Sequence, residues 1–156
     1  MTPLPSFPRG MYFEEFETGH SIVTDGRTMT EADIVAFAGI SGDFTTIHTD
    51  AVFAAGTPFG QRVAHGLLTT SIASGLMVRT GMIDGTVLAF REISEWKYGN
   101  PVFIGDTIHV EIKVTETKAL PRLGGGAVTL AVNVKNQKGE SAARGVWVLL
   151  VLSKPQ

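Results

Sequence analysis

Residues 64–79, AHGLLTTSIASGLMVR, constrain this chain more than any other stretch. Leu67, Leu68, Ile72, Leu76 and Met77 mark one face of a helix, and Ala73 and Val78 widen it. A helix apolar over so much of its circumference belongs in the middle of a fold. Arg79 complements the helix dipole, and Gly81 is a natural stop. Gly75 gives up about 1 kcal/mol of helix propensity against Ala, which a strand packed across it would explain. From residue 87 onward the period changes to two. Ile108, Val110, Ile112 and Val114 alternate with His109, Glu111 and Lys113, and Val128, Leu130, Val132 and Val134 repeat the pattern. Half-buried antiparallel strands must cover their apolar face, and the one large object available is that helix. The expected class is α+β, an antiparallel twisted sheet wrapped around a long central helix.

The remaining elements follow in order. Residues 1–10, broken by three prolines, read as an N-terminal tail without the apolar run of a secretory signal. Residues 11–16 are a short aromatic arm, and 20–29 are a strand. The capping-box pattern at Thr30 to Asp33 starts a helix whose buried face is Ile34, Val35, Phe37 and Ala38, with Gly39 ending it. Asp50 caps a short helix over 50–55, and 57–61 are an irregular loop. Residues 87–98 form a strand or a bent pair, 121–126 a flexible loop and 137–140 a hairpin turn. Residues 145–152, apolar on both faces, form a central strand or one buried by a partner subunit. Nothing marks a second domain, so 11–156 read as a single one.

Composition removes several functions. The formal net charge is −2, without a dense run of Lys or Arg, so neither nucleic acid nor an anionic membrane surface is an expected partner. With no cysteine there is no disulfide, thiol nucleophile or thiolate metal ligand, which fits a reducing cytoplasm. No apolar stretch is long enough to span a bilayer.

Chemistry concentrates in residues 39–66, GISGDFTTIHTDAVFAAGTPFGQRVAHG. Asp43 and His48 sit among Gly, Ser and Thr after a helix, so they are expected on a loop or short turn, where reactive groups are presented. A carboxylate and an imidazole so placed can share one water. The long helix begins at His65-Gly66, and its first N–H groups can hold an oxygen carrying negative charge. Taken singly, Asp43 reads as a turn cap and His48 as a satisfied buried histidine. His65 is expected to pack or hydrogen-bond beside the helix start. His48, Asp50 and His65 lack the spacing of a zinc site, so no metal is expected. Arg62, Arg79, Arg91, Lys97 and Arg122 read as solvated charges.

The segment SGDFTTIHTDAVFAAG followed by VAHGLL resembles the S-G-D-x-N-P-x-H-x-D-x-x-F-A and later A-H-G of the MaoC-like, or hydratase-2, family of (R)-specific enoyl-CoA hydratases. RTMTEADIVAFAG and NPVFIGDTIHV are also phrases typical of that family. The resemblance implies the hot-dog fold and a hydro-lyase linking a 2-enoyl-CoA with an (R)-3-hydroxyacyl-CoA. It implies that Asp43 and His48 activate one water, that Gly66 gives a backbone N–H to the thioester oxygen, and that Ser74 supports the aspartate. No cofactor is implied, CoA being part of the substrate. A homodimer with sites near the subunit boundary is implied. One departure stands inside the motif, where the usual Asn-Pro is Thr45-Thr46. The same fold also accommodates an acyl-CoA thioesterase or a non-catalytic acyl-CoA-binding protein.

Overall fold

The computed structural model describes residues 9–155. The tail expected over 1–10 lies outside the described residues as far as Pro8. At Gly10 the chain is already fixed, its N–H donating to the Asp84 carbonyl at 2.8 Å. In chain order the elements are β1 (Ser21–Val23), β2 (Arg27–Thr28), α1 (Glu31–Ser41), α2 (Thr46–Thr49), α3 (Ala51–Ala55) and α4 (Gly66–Arg79). Strands β3 (Val87–Tyr98), β4 (Thr107–Leu120), β5 (Gly125–Lys135) and β6 (Ser141–Leu152) follow. All strand pairs are antiparallel, in the order β1-β4-β5-β6-β3, with β2 also on β4. This is the hot-dog arrangement, a sheet wrapped around α4.

The alternation along β4 and β5 sets the register. Val114 lies opposite Leu130, which lies opposite Trp147 of β6. These three, with Val110, Ile112, Val128, Val132, Val134 and Leu149, are buried against Leu68, Ile72, Ala73, Leu76 and Met77 of α4. Register breaks give the sheet its wrap. β4 shifts between Val114 and Glu116, and β3 shifts at three places, with Glu95 at φ 52°. Each bulge adds local twist, which bends the strand around the helix. A further row, Val110–Val134–Ala143–Tyr98, crosses the sheet near the start of α4. The small Ala143 beside Tyr98 leaves room there.

Several expectations need correction. α4 is not buried all round, because Leu67 is 66% and Val78 50% exposed. Successive residues turn by about 100°, so Leu67, Ser71, Gly75 and Val78 form a strip opposite the one facing the sheet. Gly75 lies on that strip, and a Cβ there would meet nothing within 4 Å, so among the described residues no strand packs across it. α1 runs past Gly39 to Gly42, whose φ of 76° and N–H to the Ala38 carbonyl make it the stop, and Val35 of α1 is exposed. The 20–29 strand is two short strands. The 121–126 loop is a 3-10 turn over Pro121–Leu123, with β5 already begun at Gly125. β6 buries Trp147, Leu149 and Val151 on one face and half-buries Val148 and Leu150 on the other. No helix among the described residues is long and apolar enough to cross a membrane.

Candidate active site

The site is built by the α1–α4 segment lying across the start of the central helix. α1 is anchored at its N-terminus, where Thr30 and Asp33 complete a capping box and Arg27 pairs with Asp33 at 2.6 Å. Arg62, just before α4, pairs with Glu31 of α1. Its charge is therefore partnered rather than merely solvated. At the other end Gly42 turns the chain, and the Ser41 hydroxyl accepts from the Asp43 N–H at 3.1 Å.

Asp43 is exposed, and Thr45 organises its carboxylate. Thr45 Oγ1 donates to Asp43 Oδ1 at 2.6 Å, and the Thr45 N–H donates to the same oxygen at 3.1 Å. The second bond is an Asx turn, local enough to be encoded by two neighbouring residues. The pair of bonds leaves Oδ2 for another donor. The Thr45 hydroxyl, then its N–H, and more weakly the nearby imidazoles hold the Asp43 carboxyl below the ordinary carboxylate range. A lowered folded-state value means that these bonds stabilise the fold above the ordinary range, and the contribution is lost as pH falls through the lowered value. Thr45→Val removes the hydroxyl donor. If Asp43 must be ionised to act, the acid limb of kcat/KM moves to higher pH in this variant, while Thr45→Ser keeps the wild-type limb. A pH–rate profile of the three proteins checks this.

Of the loop or short turn expected for it, His48 takes the second, lying within α2, a single helical turn. Thr46 is the first residue of that turn, the helical position at which proline is best tolerated. The motif's usual proline and this threonine therefore suit the same geometry. His48 Nδ1 is 2.7 Å from the Val63 carbonyl. A carbonyl only accepts, so the ring proton is assigned to Nδ1 and Nε2 is left as an acceptor.

His65, immediately before Gly66, is buried to 2% exposure. Its Nε2 donates to the Asp43 backbone carbonyl at 3.0 Å. Its ring stacks on His48 with centroids 3.8 Å apart and planes 28° from parallel. One ligand-type atom from each of Asp43, His48 and His65 lies within 4.8 Å of the others. A cation held by both rings would need lone pairs that converge. Those of stacked rings lie in two nearly parallel, separated planes and do not readily meet at one point, which makes the three a poor tetrahedral set.

Asp43, His48, His65 and Gly66 line one cavity of about 390 Å³, with Phe59, Leu67 and Tyr98 among its walls. Gly66 is the first residue of α4, so its N–H has no acceptor within the helix. A Cβ on Gly66 would lie 2.8 Å from the Tyr98 ring, so there is a steric demand for glycine besides any use of its N–H. Thr70 Oγ1 ties this corner together, lying 3.0 Å from both Tyr98 Oη and Trp96 Nε1.

Ser74 is elsewhere. It lies roughly 12 Å along the helix axis from Gly66 at the usual rise per residue, and it does not line the cavity. Its hydroxyl turns back to the Ser71 carbonyl at 2.9 Å. The support expected from Ser74 comes from Thr45 among the described residues. Thr45 was detectable in sequence as the second residue after an aspartate, a common Asx-turn pattern. The joint contact of His65 with Asp43 and His48 carried no local signal.

A sequence model of the family described as "MaoC like domain" matches residues 15–136. The chain is 44% identical over 105 residues to Protein MaoC of Klebsiella aerogenes, a match covering 67% of this chain and 31% of that protein. It is 32% identical over 118 residues to the (R)-specific enoyl-CoA hydratase of Aeromonas caviae, covering 76% of this chain and 83% of the relative. The solved structure of a monoamine oxidase regulatory protein from Archaeoglobus fulgidus superposes with a TM-score of 0.87 at 36% identity, covering 95% of this chain and 98% of the other.

Proposed function

This chain belongs to the MaoC-like domain family, and from that premise we propose that it is a hydro-lyase adding water to a 2-enoyl-CoA to give an (R)-3-hydroxyacyl-CoA, or removing it. One observation carries this reading. A carboxylate oxygen of Asp43 and a ring nitrogen of His48 approach within 4.8 Å, a span one water can bridge, in the cavity that Gly66 also lines. Supporting it is the likeness to a relative that is itself an (R)-specific enoyl-CoA hydratase.

The chemistry follows from which atoms are free. Water donates one hydrogen to Asp43 Oδ2 and the other to His48 Nε2, which turns its oxygen lone pair toward C3. As that oxygen bonds to C3, the π pair moves toward the thioester and negative charge grows on the carbonyl oxygen. The Gly66 N–H at the start of α4 stabilises it; one such donor is typically worth about 10²–10³-fold in rate. Water gives one proton to the Asp43–His48 pair, and C2 takes a proton back from the same pair. The pair ends as it began. Because both additions come from one side, the addition is syn. The steps call on no metal or organic cofactor, and CoA enters and leaves as part of the substrate.

Assembly is part of the proposal. Among the described residues β3 pairs only with β6, on one edge, and Leu88, Phe90, Ile93 and Tyr98 are each more than 40% exposed along it. A long apolar edge strand is a liability that a second copy of the chain relieves by pairing there. A protein that sediments as a monomer at assay concentration contradicts the dimer.

The activity is tested by incubating the purified protein with enoyl-CoAs of graded length. Hydration bleaches the conjugated-thioester absorbance without releasing free thiol, and chiral analysis returns the (R)-alcohol. Thiol release instead identifies a thioesterase. Binding without turnover identifies an acyl-CoA-binding protein.

A further inference from the structure

We propose that His65 is a positioning residue that holds Asp43 and His48 in their working arrangement, gripping one through its ring N–H and the other through its ring face. The inference rests on the hydratase reading of the site.

His65 is poorly suited to the position it occupies in the helix. It is the N-cap of α4, where Ser, Thr, Asp or Asn would bond the first free N–H groups, worth about 1 kcal/mol. The His65 side chain makes no such bond. It also leaves Nδ1 buried with no partner among the described residues. The lost cap would be shared by any apolar residue, but the orphaned nitrogen would not: a phenylalanine of similar shape avoids it. What histidine adds is a donor at one end of a flat ring. The donor reaches the Asp43 carbonyl, 22 residues earlier in sequence. The ring stacks on His48 at 3.8 Å and also meets the Phe37 ring, tilted, at 5.0 Å.

The mounting is rigid where the reactive residues are not. Asp43 is exposed, and among the described residues its carboxylate is bonded only by Thr45, two residues away. His48 sits on one helical turn, too short to hold itself. Both are tied instead to residues 63–65, since His48 Nδ1 bonds the Val63 carbonyl. That segment is fastened to the β3–β4 connection by the Ala64 N–H to the Val102 carbonyl at 2.8 Å and by a bridge between Val63 and Phe103. His65 thus transfers the rigidity of the sheet side of the molecule to the Asp43 backbone and the His48 ring.

Two substitutions separate the roles. His65→Phe keeps the flat ring and removes the donor. His65→Gln keeps a donor near the Nε2 position and removes the ring. Each is expected to lower kcat for enoyl-CoA hydration by about 10-fold or more, the scale of a sub-ångström misplacement, with KM for the thioester nearly unchanged. In an Asp43→Asn background either change should cost little more, because groups acting as a unit are not additive. Nitrogen-15 spectra of the imidazoles should show the His48 proton on Nδ1 in the wild type and spread over both nitrogens in His65→Gln. Circular dichroism establishes which variants fold, and either folded variant suffices. Wild-type kcat in a folded variant, or the same fold loss with and without Asp43, overturns the inference. If the wild type itself hydrates no enoyl-CoA, the hydratase reading fails. The His48 tautomer in the two proteins still decides the positioning role, and an unchanged tautomer overturns it.

Discussion

Asp43→Asn is expected to lower kcat for enoyl-CoA hydration by about 10²–10⁴-fold, the usual worth of a positioned acid–base group, while the protein stays folded. The substitution is nearly isosteric, and an asparagine Oδ1 can still accept both Thr45 donors. What disappears is the negative charge and the ability of Oδ2 to take a proton from water. Because the side chain is exposed, the core has no share in the change. The acid limb attributed to Asp43 should vanish from the pH–rate profile at the same time. Stopped-flow hydration with a melting curve on the same sample checks both parts. A folded Asp43→Asn protein with a wild-type rate and an unchanged acid limb removes Asp43 from the mechanism.

His48→Ala should cost a comparable factor, for a different reason. Nε2 is the second acceptor on the shared water, and without it the oxygen lone pair is no longer aimed at C3. The substitution also leaves a hollow the size of an imidazole beside the His65 face and the Val63 carbonyl, the two features that orient the native ring. Free imidazole added to His48→Ala is therefore expected to restore part of the rate in a saturable way. Rescue of this kind separates lost chemistry from a damaged fold. A folded His48→Ala enzyme that turns over normally shows that Asp43 alone suffices, and the shared-water mechanism falls.

The α+β class was legible because its determinants are repetitive. Alternation along β4 and β5 states which face is buried, and a twelve-residue apolar helix pattern states what covers it. The spacing of Asp43 and His48 was legible for a related reason, since a glycine stop, an Asx turn and one helical turn are all encoded by adjacent residues. Less visible was where each apolar residue of α4 would point. Leu67 and Leu68 are neighbours in sequence and equal in hydrophobicity, yet one is 66% and the other 7% exposed. Gly75 misled for the same reason, because the open space beside it belongs to the surroundings and not to the glycine.

The amino-acid order by itself determined which segments become strands, the long helix, the acid and the imidazole on one short segment, and the glycine that opens the helix. Each is read from spacing over a few residues, which fixes local geometry; which strands pair is not so read. Only the tertiary structure decided that Ser74 lies away from the cavity of Asp43, that Tyr98 closes on Gly66, and that His65 spans 22 residues to reach the Asp43 carbonyl. Such contacts join segments far apart in the chain. Their partners are chosen by how the sheet twists around the helix, and no local pattern records that twist.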